Sequence, residues 1–295
     1  MSEFRSGLVA LAGRPNVGKS TLTNALVEGH VSIVSDRPQT TRRRSVGVVS
    51  AEEWQIVLLD LPGFQRPRDG LTERMQRSVD ETIADVDAIV FVLDATEPPG
   101  AGDRFIARAI SGRAAPVLIA LNKIDRLKPA AIAEAIGGAA ALVEFDELHP
   151  VSALTGEGIA PLRADLAARM PEGPALYPTT SRSGDPVRLQ IAELIREQAL
   201  QRTREEVPHA IAVTVDEVEL GGRKEVAWIS ATLVVETSSQ QRILVGKGGS
   251  MIRDIGAGAR PSIEDALGKR VMLDLSVNVR KNWRNDAGLL DRLGP

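Results

Sequence analysis

The octet Gly13-Arg14-Pro15-Asn16-Val17-Gly18-Lys19-Ser20 lies between an apolar run at residues 8–12 and a helix-patterned run at 21–27. This setting leaves few folds open. In a strand, loop, helix unit, the spacing GxxxxGK[ST] turns successive backbone N–H groups inward around a phosphate, and the following helix presents the positive end of its dipole. Residues Gly13 to Ser20, with Thr21 behind them, form the cradle. Lys19 reaches the β- and γ-phosphates, and Ser20 supplies a hydroxyl to Mg²⁺, a cation that takes oxygen ligands. A chance match to this motif in a chain of this length has odds on the order of one per cent.

Three later stretches extend the site. Residues 35–44 are polar, basic and aperiodic, and read as a loop in which Thr40 or Thr41 completes the Mg²⁺ shell when a γ-phosphate is present. An apolar strand at 54–60 ends in Asp60 and runs into Leu61-Pro62-Gly63, the DxxG arrangement. Asp60 then holds Mg²⁺ through water, while Gly63 lets a backbone N–H approach the γ-phosphate. Strands at 88–93 and 116–121 follow, the second ending in Asn122-Lys123-Ile124-Asp125. The Asp125 carboxylate only accepts hydrogen bonds, so it pairs with the N1–H and 2-amino group of guanine, which adenine lacks. The stem of Lys123 lies over the base. A last strand at 149–154 carries a Ser152-Ala153 turn whose Ala153 N–H meets the guanine O6, and a helix at 159–170 closes the region. The alternation of strands and helices implies an α/β, doubly wound, mainly parallel sheet with its ligand at the strands' carboxyl ends.

A chain of 295 residues is long for one core. The pattern changes after residues 171–186, which hold four prolines and two glycines and read as a linker. Beyond it come a helix at 187–204, strands around 209–218 and 226–236, helices at 250–259 and 261–267, and a strand at 271–279 running into basic residues 280–284. With Gly246-Lys247-Gly248-Gly249 before the first of those paired helices, the order is that of an α+β type II KH domain. Its GxxG loop clamps a single-stranded nucleic-acid backbone, and Lys247 adds charge. The net charge of -3 gives no global attraction to nucleic acid, so contact has to come from this local patch. The absence of cysteine excludes disulfides and thiolate metal sites. No apolar run approaches the ~20 residues of a membrane span, and the expected location is the cytoplasm. His30, His149 and His209 lack metal-ligand spacing, and Trp54, Trp228 and Trp283 read as packing anchors.

These motifs together resemble the Era GTPases of bacteria: GRPNVGKS at 13–20, QTTR at 39–42, DLPG at 60–63, NKID at 122–125, SAL at 152–154, VGKGGSMIR at 245–253 and VRKNW at 279–283. The resemblance covers nearly the whole chain. It implies a P-loop GTPase domain at 1–170, a linker at 171–186 and a type II KH domain with its tail at 187–295. It also implies Mg²⁺-dependent GTP hydrolysis, with Lys19, Thr41 and Gly63 catalytic and with Ser20, Thr41 and Asp60 at the metal. The implied RNA contacts are Ile243, Val245, Gly246, Lys247, Gly248, Gly249, Ser250, Ile252, Arg253, Arg280 and Lys281. The implied partner is the 3′-terminal segment of the small-subunit rRNA, in a factor for small-subunit assembly. The chain is expected to be a monomer with no DNA partner, and some members of the family associate peripherally with the membrane. Leu61 departs from the usual DTPG. Phe64 follows DxxG where many small GTPases place a water-orienting Gln, so slow intrinsic hydrolysis is expected. The rival reading is a GTP switch whose C-terminal domain docks a protein instead of RNA.

Overall fold

The computed structural model of the protein describes residues 4–35, 40–63, 68–205, 207–221 and 226–294. The chain forms two compact units, one built from Met1–Ser32, Pro38–Arg68 and Thr72–Gly184, the other from Ile33–Arg37, Asp69–Leu71 and Asp185–Pro295.

In the first unit the strands are β1 (Arg5–Ala12), β2 (Ser45–Ser50), β3 (Trp54–Asp60), β4 (Ala88–Asp94), β5 (Val117–Asn122) and β6 (Glu147–Pro150). The helices are α1 (Lys19–Val27), α2 (Gly70–Ala84), α3 (Ala101–Ile110), α4 (Pro129–Ala140) and α5 (Ile159–Arg169). The sheet order is β2-β3-β1-β4-β5-β6, parallel throughout except for the antiparallel pair β2 and β3. The central strands are apolar on both faces because both are covered. Val9, Leu11, Val90 and Val92 pack with Leu22 of α1 and Leu162 of α5, while Ala10, Ala12, Ile89 and Phe91 pack with Val79 of α2 and Ile106 of α3. With one register of strand alternation serving two cores, the residues that end β1, β3, β4 and β5 are carried to one edge of the sheet.

Three features depart from the sequence reading. β2, absent from that reading, pairs with residues 55–60 of β3 as the edge strand. The last strand ends at Pro150 instead of reaching 154, because the Ser152 N–H donates to Glu157 O and its carbonyl accepts from Gly156 N, folding the chain into a turn. The segment read as a linker is tied down as a strap. Ser6 N–H donates to Pro171 O and Ser6 Oγ to Pro174 O. The fully buried Gln55 accepts from Leu176 N and Tyr177 N and donates to Tyr177 O. Val48 N–H donates to Arg182 O, and Gly184 N–H to Val46 O. A segment rich in proline suits this role, since it loses little conformational entropy on being fixed.

The second unit comprises α6 (Val187–Arg202), α7 (Val207–Ala210), β7 (Ala212–Glu219), β8 (Ala227–Val235), α8 (Ser238–Val245), α9 (Ser250–Leu267), β9 (Val271–Val279) and α10 (Ala287–Arg292). Its sheet runs β7-β8-β9, antiparallel then parallel, with an irregularity between Val215 and Glu217. One face is covered: Ile191 and Ile195 of α6 and Ile255, Ala259 and Ile263 of α9 pack on Val213, Ile229, Ala231 and Leu233. The paired helices are therefore α8 and α9, and not 250–259 followed by 261–267. α9 continues through Pro261 because Ile255, Ala259 and Ile263, four residues apart on one stripe, are all buried, and that packing outweighs the lost backbone hydrogen bond. Trp283 is fully buried, its Nε1 donating to Ala210 O at 2.8 Å. Trp228 is no anchor; it is 59% exposed on β8.

Candidate functional site

The loop between β1 and α1 gathers chemistry from three separate stretches. Ser20 Oγ donates to Asp60 Oδ2 at 2.7 Å and lies 2.9 Å from Thr41 Oγ1, which brings together the three residues expected at the metal. Thr40, the other candidate, is buried. Lys19 is buried, and its Nζ donates to the Gly13 and Arg14 carbonyls at 3.0 Å each. Burial lowers its pKa to about 8, against an opposing pull from the Asp60 charge. Three oxygens from Ser20, Thr41 and Asp60 suit a hard cation such as Mg²⁺. Two hydroxyls and one carboxylate fill only part of such an ion's shell and leave the rest to oxygens of the kind that water and nucleotide phosphates supply.

Neighbouring groups hold the loop in shape. Arg14 Nε donates to Asp103 Oδ1 at 2.7 Å; Asp103 is 1% exposed, and its Oδ2 accepts from Gly100 N at the start of α3. Gly63 lies against Pro15: a Cβ at 63 would stand 2.8 Å from Pro15 Cγ and 2.9 Å from its N, so any side chain there would displace the phosphate loop. Pro62 is buried, and so is Leu61, which packs with Ala12 and Val79. An apolar residue therefore replaces the threonine of DTPG without exposing a polar gap. Thr21 follows Ser20 in the first turn of α1. Phe64 and Gln39 lie outside the described residues.

At the far end of the cradle Asn122 is the tie. Its Nδ2 donates to Val17 O at 2.9 Å, and its Oδ1 accepts from Ala153 N at 3.0 Å. The Ala153 N–H, expected to meet the guanine O6, is thus engaged by Asn122. Lys123, at φ 70, donates to Asn16 O at 2.7 Å and to Asp94 Oδ2 at 2.5 Å. Burial alone would raise the Asp94 pKa, but the hydrogen bonds from Lys123 and Thr96 outweigh it and hold the carboxyl below its ordinary value. Asp125 is exposed and accepts from the buried Ser152 Oγ at 2.6 Å through Oδ1 alone. Sequence reasoning missed Asp94 and Asp103. Asp94 carries the same signal as Asp60, a carboxylate closing an apolar strand; Asp103 is marked only by its place at the third position of a helix, where acidic capping residues collect.

In the second unit α8 ends at Gly246, and α9 begins at Ser250. Gly246 has φ 71, and a Cβ there would stand 2.7 Å from Met251 N, so the turn excludes other residues. Lys247 and Gly248 are exposed and Gly249 is half-buried; no atom lies within 4 Å of a Cβ built at 248 or 249, leaving room for an approaching backbone. Ile243, Ser250 and Arg253 are also exposed, Val245 and Ile252 are half-buried, and Arg280 pairs with Asp286 while Lys281 stays exposed.

Comparison with known proteins bears on both units. The sequence profile of the 50S ribosome-binding GTPase family matches residues 8–123, and that of the KH domain matches 206–284. The protein named GTPase Era of Mycobacterium tuberculosis (strain ATCC 25618 / H37Rv) is 46% identical over 299 residues, covering 100% of both chains. The chain belongs to the Era family of GTPases. Two solved structures match this Era-family fold with a TM-score of 0.93 and 36% identity, covering 99% of each chain. One is Era in complex with MgGDPNP and nucleotides 1506–1542 of 16S ribosomal RNA, the other a point variant of Aquifex aeolicus Era bound to GDP·AlF4⁻. As an Era-family GTPase the chain is an enzyme with a P-loop GTPase unit followed by a KH unit.

Proposed function

We propose that this GTPase binds GTP between the Gly13–Ser20 loop and Asp125, hydrolyses it, and uses its KH unit to hold the 3′-terminal segment of small-subunit rRNA during assembly of that subunit. The convergence of Ser20, Thr41 and Asp60 around Lys19 carries the reading, because these residues come from three distant stretches and match a nucleotide site in kind and order. Asp125, steadied by Ser152, accepts from guanine's N1–H and 2-amino group. Lys19 would exchange its bonds with the Gly13 and Arg14 carbonyls for the β- and γ-phosphates, and Gly63, with no room for a side chain beside Pro15, would offer its N–H to the γ-phosphate. Ser20, Thr41 and Asp60 would hold Mg²⁺, which when bound offsets phosphate charge. Arg14 and Asn122 touch protein groups and act as positioning residues.

The Lys247 and Gly248 tip supports RNA binding, as does the relative whose structure contains a 16S segment. We assign residues 1–170 to the GTPase domain, 171–186 to the connecting strap, and 187–295 to the KH domain and its tail, in a monomer that works in the cytoplasm with any membrane contact peripheral. No helix among the described residues is long and apolar enough to cross a membrane. Phosphate release from GTP with the parent and the Lys19→Ala variant tests the enzyme assignment: turnover should be slow but measurable in the parent and absent in the variant. Crosslinking to total RNA tests the partner, and recovery of sequences away from the rRNA 3′ end would overturn it.

A further inference from the structure

The open face of the second unit's sheet carries an arrangement outside the residues assigned above to GTP and RNA. Along β8, Ala227, Ile229, Ala231, Leu233 and Val235 are buried in the core, and the residues between them belong to the opposite face. On that face Trp228, 59% exposed, is paired with Glu219 of β7 and with Met272 of β9, itself 48% exposed. The next row sets Ser230 between Glu217 and Asp274. Glu217, Glu219 and Asp274 are all exposed. Among the described residues, strand alternation puts the exposed Arg270, just before β9, at the end of the same column, and Lys269 beside it is held by the Leu220 and Gly221 carbonyls. Asp216 is already engaged, by Arg292 and Thr232.

An exposed tryptophan beside an exposed methionine leaves apolar surface in water, and covering it favours association. Their surroundings select the partner. An indole face next to carboxylates attracts a guanidinium or ammonium by cation–π and charge-assisted contacts. Glu217 and Asp274 stand two strand spacings apart, about 10 Å, and bracket one side chain lying along β8. The same carboxylates repel RNA phosphates and an anionic lipid surface. From this charge complementarity we propose that the face docks a cationic segment of a partner protein, with an Arg or Lys side chain stacked on Trp228 and paired with Glu219 or Asp274. The proposal stands apart from the GxxG loop, so one domain would hold RNA and protein on different surfaces.

The test uses the full chain and a hexa-arginine peptide as probe, with affinity read by calorimetry and the location by indole fluorescence; Trp283 is buried and Trp54 half-buried, which leaves Trp228 as the exposed reporter. Trp228→Ala should weaken binding tenfold or more, and so should the triple variant Glu217→Gln, Glu219→Gln, Asp274→Asn, which keeps the docking question open to test if the tryptophan variant misfolds. A control triple at exposed carboxylates elsewhere, Asp80→Asn, Glu81→Gln, Glu134→Gln, should change affinity less than twofold. The proposal fails if the parent does not bind at millimolar peptide, if the site variants stay within twofold, or if the control loses as much. It also fails if Trp228→Ala weakens binding of an oligouridine RNA while leaving the peptide unaffected, since the face would then be an RNA surface.

Discussion

Because burial lowers the Lys19 pKa to about 8 in the nucleotide-free protein, GTP binding has to be linked to proton uptake at alkaline pH. Phosphates arriving at Nζ favour the charged lysine, so its pKa rises in the complex and the site binds nucleotide best when the proton is already present. A lysine with a pKa of about 8 is about nine-tenths charged at pH 7, half at pH 8 and roughly one-tenth at pH 9. Affinity should therefore fall about tenfold between pH 7 and pH 9, or about 1.4 kcal/mol, with about half a proton taken up per nucleotide at pH 8. Calorimetric titration of the non-hydrolysable analogue GDPNP in two buffers of different ionisation enthalpy measures both quantities, after correction for the ionisation of free guanine. The sign for stability runs the other way. The unfolded chain binds this proton more tightly, so the empty protein should become more stable as pH rises from about 8 toward the ordinary lysine value of 10.5. An affinity that stays flat from pH 7 to 9, with no proton uptake, would refute the burial argument.

Asp125→Asn should move base preference from guanine toward xanthine nucleotides, whose 2-oxo group accepts from the amide; competition between GTP and XTP checks this, and an unchanged preference would show the pairing to be misassigned. Arg14→Ala leaves the Asp103 carboxylate, 1% exposed, without its guanidinium and should cost about 3 kcal/mol in denaturant unfolding, while Asp103→Asn, which keeps an acceptor for Gly100 N, should cost less. Asn122→Ala removes the donor to Val17 O and the acceptor of Ala153 N, and should cost roughly 2–4 kcal/mol, shared between unfolding stability and GTP affinity.

Residues whose role is set by local pattern were legible in the sequence. The phosphate loop, Asp60 and the NKID motif follow apolar strands whose ends could be read directly, and strand alternation then delivers them to one edge of the sheet. Roles set by tertiary partners were not legible. Ala153 looked free to meet a base, but its N–H is taken by an asparagine 31 residues away in sequence. Residues 171–186 had a linker's composition, yet Gln55, buried in β3, holds Leu176 and Tyr177, and Ser6, Val46 and Val48 hold the segment on either side. A helix break expected from proline alone does not occur at Pro261, where a buried stripe carries α9 through the residue. The start of α8 has a local signal of its own: Thr237 and Gln240 form a capping box, a spacing visible in the sequence just ahead of the glycines.

Whether one unit handles GTP while the other holds RNA through the loop at 246–249 is decided by the double variant Lys247→Asp, Gly248→Asp. Both positions are exposed at the loop tip. Gly248 has φ 60, a conformation that aspartate tolerates better than most residues at a cost of roughly 1 kcal/mol, so the fold should survive and a melting curve verifies it. Parent and variant are titrated in parallel with an oligonucleotide of the small-subunit rRNA 3′ end and with GTP, at one fixed salt concentration because phosphate contacts are salt-dependent. RNA binding should collapse while GTP affinity stays the same; equal RNA affinity in the two proteins would show that the loop does not hold RNA.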